Sequence, residues 1–416
     1  MNAPDIPSQR RILTTLALVA LLIVAGAQSH GELLPTSWQV ELEMAAQQAA
    51  FATLISDRDL TDPPAGVDPA RWQRMFSTGA PSHERIELGR RLFFEPKLSR
   101  DHTVSCASCH DVRRAFADGE KLARGIEGRV ARRNTPTVIN TGLLKPLFWD
   151  GRAETLEQQA ELPLLAPSEM DMPDLVTAYV QLLEIESYRV AFIRAFGRVE
   201  PRDLLVALAD FQRSLVFLDS PFDRYLEGDE GALTADEIAG WELFRGRALC
   251  STCHLLGADN NLATDQQFHN VGIAAEYAPF DELSRTAHRR LARTATLAEL
   301  DGIVLETPLS LLGRFLVTRD PADLGAFRTP SLRNVSLTAP YMHDGSIDTL
   351  WEAVRFYIDG GNPNPYLSET LLPVDLSDRE IDQLVAFLFT LTDVHWQKEN
   401  RREFERQRRI WSRDGF

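Results

Sequence analysis

The chain has 416 residues, 44% hydrophobic and 25% charged, an ordinary balance for a globular protein with room for two or three domains. Its formal net charge of −16, from 60 acidic and 44 basic side chains, argues against a nucleic-acid partner, which would need a basic footprint. Such acidity suits solubility, and equally the steering of a basic redox partner.

The N-terminus is the first distinctive element. Arg10 and Arg11 precede an uncharged apolar run from Ile12 to Ala27 that ends in Ala25-Gly26-Ala27. This is the layout of a secretory signal peptide over residues 1–27, cleaved before Gln28, with an N-terminal membrane anchor as the rival. The run is slightly short for a full span, and under either reading the body of the protein is exported. Residues 28–83 form an N-terminal extension, helical in pattern from Thr36 to about Phe76.

A short helix follows, Glu87-Leu-Gly89-Arg-Arg-Leu92-Phe93, leading into Cys106-Ala-Ser-Cys109-His110. Ala239-Gly240-Trp-Glu-Leu243-Phe244 leads in the same way into Cys250-Ser-Thr-Cys253-His254. The shared Gly-x-x-Leu-Phe element reads as an internal duplication. The expected fold is therefore mostly α, two cytochrome-c-like domains over residues 84–222 and 223–395, divided near the Ser220-Pro221 turn. Helical spacing recurs at residues 153–164, 174–184, 202–218, 350–357 and 378–391, and strand signals are few. Residues 396–416 read as a basic, solvated helical tail.

Both cysteine pairs sit in Cys-x-x-Cys-His, and no cysteine is left over. Two intervening residues let one turn of chain present both thiols to the two vinyl groups of a haem, and the adjacent histidine becomes the proximal iron ligand. A four-cysteine zinc site and a thioredoxin-type pair are the alternatives, but neither requires a histidine directly after the second cysteine. The expected cofactors are two covalently bound haem c groups. The sixth iron position then decides function: filled, the haem moves electrons; open, it binds small ligands. No histidine lies between His110 and His254, and Met170 and Met172 follow Pro167 in a turn, so the first haem is expected to be open. For the second, His269, His288, Met342, His343, His395 and several tyrosines are candidates.

Three longer stretches resemble signatures of the bacterial dihaem cytochrome c peroxidase family, which includes MauG. They are Phe148-Trp149-Asp150-Gly151-Arg152 through Gln159, Pro163 to Met170, and Phe327 to Ser346; with the haem motifs they extend the resemblance over about residues 84–395. The resemblance implies a tryptophan between the haems at Trp149, and a peroxidatic distal pocket built from Gln159, Pro163 and Glu169. Glu169 would shuttle a proton between the peroxide oxygens, since a desolvated carboxyl titrates nearer neutral pH. Gln159 would orient ligand or water. Asn134, Thr338 and Pro340 match the family's calcium site, Thr338 and Pro340 through backbone carbonyls, so one Ca²⁺ is expected.

Two positions depart from the ordinary peroxidases. Many carry a distal histidine about sixteen residues past the first motif, where this chain has Ile126. The axial methionine of the second haem aligns with Tyr357, as in MauG-like proteins, with Met342 as rival ligand. The implied activity is a periplasmic peroxidase that reduces hydrogen peroxide at the first haem, with electrons relayed through the second from a small cytochrome c or cupredoxin. The alternative is a MauG-like enzyme that shares an oxidising state across both haems and oxidises residues of a partner protein. A pure electron-transfer dihaem cytochrome is disfavoured by Glu169 and the missing histidine. A homodimer is compatible with the resemblance.

Overall fold

Two crossed helix pairs organise the chain. In the computed structural model the described residues are 36–54, 60, 62–76, 81–257, 260–276 and 279–413; the expected signal segment and residues 28–35 lie outside them. The Ser82 hydroxyl accepts the Arg85 N–H and opens the His83–Phe93 helix. This helix crosses the Pro201–Ser214 helix at Gly89, where any Cβ would overlap the Ala207 carbonyl and crowd Phe211. The second half repeats the device. Thr234 with Glu237, and Ser377 with Glu380, form capping boxes for the Ala235–Arg245 and Asp378–Phe389 helices. These two cross at Gly240, against the Gln383 carbonyl and Phe387. Glycine inside a helix costs about 0.5–1 kcal/mol, which the close approach of the backbones offsets through packing.

The aromatic cores match as well. Phe93 meets Phe211 at 5.1 Å between ring centroids, and Phe244 meets Phe387 at the same distance. The architecture is mostly α, with two cytochrome-c-like halves. Among the described residues the one sheet is a two-stranded antiparallel pair, Phe268 opposite Arg328 and His269 opposite Phe327. No described helix is long and apolar enough to cross a membrane.

The segments outside the duplication dock onto it. Met44, Gln47, Phe51 and Leu54 form the buried face of the Thr36–Leu54 helix, at the spacing of successive helical turns. The Phe280–Leu291 and Leu297–Glu306 helices share a core cluster with Ala123, Ala131 and Ala166 of the first half. Two sequence expectations change. The helix expected over residues 202–218 stops at Ser214, because the Asn140 side chain pairs with both the N–H and the carbonyl of Phe217 (2.9 and 3.1 Å) and holds that stretch extended. The Gln397–Arg413 helix is docked rather than solvated. Gln407 is fully buried and donates to the Tyr341 hydroxyl (2.8 Å), while Arg401, Arg402, Arg408 and Arg409 face outward.

Candidate active site

Each Cys-x-x-Cys-His motif ends in an imidazole with one nitrogen already committed. His110 Nδ1 lies 3.0 Å from the Phe116 carbonyl, and His254 Nδ1 lies 3.0 Å from the Ala263 carbonyl. Burial pushes both histidines below their ordinary pKa, so each is neutral, donates from Nδ1 and keeps the Nε2 lone pair for a metal. All four cysteines are free thiols. Burial raises Cys106 and Cys250 to about 12 and raises Cys109 further, opposite to the depressed thiol of a thioredoxin-type pair. Burial also opposes ionisation of Cys253, yet the adjoining His269 brings that thiol below its usual value. Among the described residues the four thiols form no common cluster; the metal-compatible group there is Cys253, Asp265 and His269.

Cys250, Cys253 and His254 line a cavity with apolar walls that include Phe244, Leu350, Leu384 and Leu388. An apolar slot with two thiols and one free imidazole nitrogen on its wall fits a covalently held haem. Tyr357 and Met342 line the same cavity, and the phenol hydroxyl lies 3.9 Å from the methionine sulfur. Of the other candidate ligands, His269 and His343 also line this cavity, each with a partner of its own, whereas His288 and His395 are not among its lining residues. His269 pairs with Asp265 (2.8 Å), His395 with Asp393 (2.6 Å), and His288 packs edge-on against Phe315. His343 is buried and stacked flat on Phe327 at 3.6 Å.

The first site is built differently. Pro163 lies inside the Leu156–Leu165 helix, near its end, and withholds an N–H from the Gln159 carbonyl. The chain then turns, with Glu169 N–H on the Ala166 carbonyl (3.0 Å) and Met170 N–H on the Pro163 carbonyl (3.2 Å). The loop after the first motif closes on this turn. Ile126, fully buried, donates its N–H to the Glu169 carbonyl (2.8 Å), and Gly125 leaves no room for a Cβ against the Ser168 and Glu169 backbone. Arg129 adds bonds to the Pro167 carbonyl and Asp171 (2.9 and 2.8 Å). The segment that holds a distal histidine in many peroxidases therefore braces Glu169 instead. Burial, and secondarily the Asp301 charge, push the Glu169 carboxyl up to about 7, against the pull of Arg152. Its charge in turn reaches the Cys106 and Cys109 thiols. Gln159 accepts a hydrogen bond from buried Gln212 (3.2 Å). Met170 and Met172 are buried in the first-half core.

Trp149 has neighbours in both halves. Its ring packs with Cys109 against one core cluster and also lines the His254 cavity. The indole N–H donates to the Asn134 carbonyl (2.9 Å). Asn134, Thr338 and Pro340 line that cavity together, and the Asn134 amide nitrogen is taken by the Glu120 carbonyl (2.9 Å), leaving Oδ1 as a donor toward a cation. Behind Trp149, buried Arg152 is clamped between Asp150 (2.9 Å) and Asp301 (2.7 Å), with its guanidinium 3.7 Å from the Phe148 ring centroid. Sequence reasoning quoted Asp150 and Arg152 only as part of a motif and missed Asp301 and Gln212. Neither carries a local signal; both reach the site from distant helices.

Comparison with known proteins agrees with this geometry. The family described as di-haem cytochrome c peroxidase matches residues 83–231. The chain is 38% identical to a methylamine utilization protein MauG of Methylorubrum extorquens, over 77% of this chain and 83% of that one. It is 34% identical to a cytochrome-c peroxidase, IdrP1, of a Pseudomonas species, over 85% of this chain and 92% of that one. Among solved structures it is similar to a MauG-like protein associated with microbial copper homeostasis (TM-score 0.62, 32% identity, 82% of this chain and 96% of that one). It is also similar to the diheme peroxidase BthA of Burkholderia thailandensis (TM-score 0.58, 26% identity, 82% and 90%). The chain thus belongs to the dihaem cytochrome c peroxidase and MauG family, and is an oxidoreductase of the peroxidase type that uses two haems.

Proposed function

We propose that this is a periplasmic enzyme that reduces hydrogen peroxide at the Cys106–His110 site. The observation that carries the reading is Glu169, held on a braced turn with its carboxyl pushed up to about 7, next to a loop that offers Ile126 in place of a histidine. Cys106 and Cys109, and Cys250 and Cys253, would hold two haem c groups by thioether bonds, with His110 and His254 as proximal ligands. Bound there, the haems supply the iron at which the O–O bond is cleaved and the redox store from which two electrons are drawn. Glu169 takes the proton from one peroxide oxygen and returns it to the departing one, which leaves as water. Gln159, steadied by Gln212, orients the peroxide, and Pro163 shapes the wall beside it. Trp149 bridges the two sites. Asn134, Thr338 and Pro340 supply oxygen ligands to a Ca²⁺ ion. Residues 84–222 form the peroxidatic domain and 223–395 the electron-transfer domain, which receives electrons from a small cytochrome c or cupredoxin.

Tyr357 favours a second reading. As the sixth ligand at the His254 site, a phenolate would stabilise oxidised iron, the behaviour needed to oxidise residues of a partner protein in the MauG manner. The discriminating experiment is electron paramagnetic resonance of the fully ferric protein before and after peroxide, with reduced cytochrome c turnover in parallel. One high-spin and one low-spin haem, reacting without prior reduction and oxidising cytochrome c rapidly, is the expected result. Slow cytochrome oxidation with a long-lived peroxide product selects the second reading. Two low-spin haems inert to peroxide would overturn both.

A further inference from the structure

The two ends of the described chain meet behind the first haem motif. Gln47, in the N-terminal extension, donates from Nε2 to the Ala107 carbonyl (3.1 Å) and accepts from the Val112 N–H (3.4 Å), so it grips the Cys106–His110 turn on both sides. Val112 is also held from the other end of the chain, because its carbonyl accepts the Trp396 indole N–H (2.9 Å). Gln47 and Trp396 are both buried, 2% exposed each. From Val112 the chain runs to Phe116, whose carbonyl holds His110 Nδ1. Ala115 and Phe116 take the left-handed conformation in succession (φ 51° and 61°), which non-glycine residues keep only where their surroundings enforce it. Rings from both ends enforce it here: Phe51 and Trp396 each pack edge-on against Phe116, with centroids 6.2 and 6.5 Å away. The second site is held by other residues. The loop carrying the Ala263 carbonyl is braced by Ser331 on the Leu262 carbonyl and Thr264 on the Thr329 carbonyl (2.7 Å each), and by a different part of the N-terminal extension, where Asn261 donates to the Ala65 and Gly66 carbonyls (2.6 and 3.3 Å).

We propose that Gln47 and Trp396 are positioning residues that fix the Val112–Phe116 loop, and through it the His110 imidazole, so that this pair sets the reduction potential of the first haem alone. This rests on a haem being bound at His110. The physical link is the Nδ1–H to carbonyl hydrogen bond, which makes an imidazole a more basic ligand and so favours ferric iron. Loosening the loop weakens that bond and raises the potential.

The test is a spectroelectrochemical titration of the haem-loaded protein, comparing wild type with Gln47→Met, Trp396→Phe and the double variant. Phenylalanine keeps an aromatic ring in the core and removes only the indole N–H. In the double variant the ferrous-to-ferric ratio of the first haem, at a fixed applied potential, should rise about tenfold, 59 mV for a one-electron couple. The second couple should stay in place, and the high-spin resonance of the first haem should change in step. Two unmoved couples would overturn the proposal. Two couples moving together would overturn it as well, since that reports general loosening. A wild-type protein without two distinct haem couples would instead sink the assignment of a haem to His110.

Discussion

Gly89 against the Ala207 carbonyl and Gly240 against the Gln383 carbonyl are the same contact made twice, and each half delivers the same imidazole nitrogen to its site. What else surrounds each motif differs. Around the second site the wall is largely apolar and carries Tyr357 beside Met342, with His269 and His343 also on it. The first site has a carboxyl held near neutrality and a loop whose backbone, rather than a ligating side chain, turns toward it. Duplication thus conserved the means of holding a haem, while the unshared loops decide what each haem meets.

The sharpest way to break this comparison is Glu169→Gln. Turnover of peroxide should fall about 10²–10⁴-fold, the usual worth of a positioned acid–base group, with the ferric spectra of both haems unchanged. A residual rate within threefold of wild type would remove Glu169 from the chemistry. Next in size is Tyr357→Phe, which should alter the spin state and raise the potential of the second haem while leaving the first untouched. The matching change Met342→Leu should do much less; the reverse order would make methionine the ligand.

The pH profile sharpens the comparison further. A raised pKa means that Glu169 stays protonated up to about pH 7 and becomes a base only above it. The rate constant for peroxide should therefore fall about tenfold per pH unit below 7 and level off above, as the fraction of carboxylate dictates. A profile flat from pH 5 to 8 would contradict this. The smallest effects are expected from Gly89→Ala and Gly240→Ala. Each should cost about 1–3 kcal/mol in denaturant unfolding, as overpacking at a tight crossing does, and the two costs should agree. A large disparity would mean that the crossings are alike in shape only.

Much of this was legible in the sequence because it is written locally. The haem motifs, the Gly-x-x-Leu-Phe echo and the run from Trp149 to Glu169 are contiguous, and periodicity placed most of the helices that carry them. The rest depends on partners far apart in the chain. Asp301 reaches Arg152 across 149 positions, and Trp396 reaches Val112 across 284, with no pattern in either neighbourhood to announce it. The tail misled for a related reason. Its arginines dominate the composition, whereas the single buried glutamine, Gln407, decides where the helix docks.

Trp396 has a consequence for the order in which the molecule is assembled. Its ring belongs to the first-half core, beside Phe116 and Phe217, although it follows the Val112 it bonds by 284 positions. The half that emerges first therefore waits for Trp396 before its core can close, a long-range dependence that slows folding. A nascent chain that stops short of Trp396 would leave Phe116 and Phe217 without that ring, a local mark by which quality control could tell an unclosed core from a closed one.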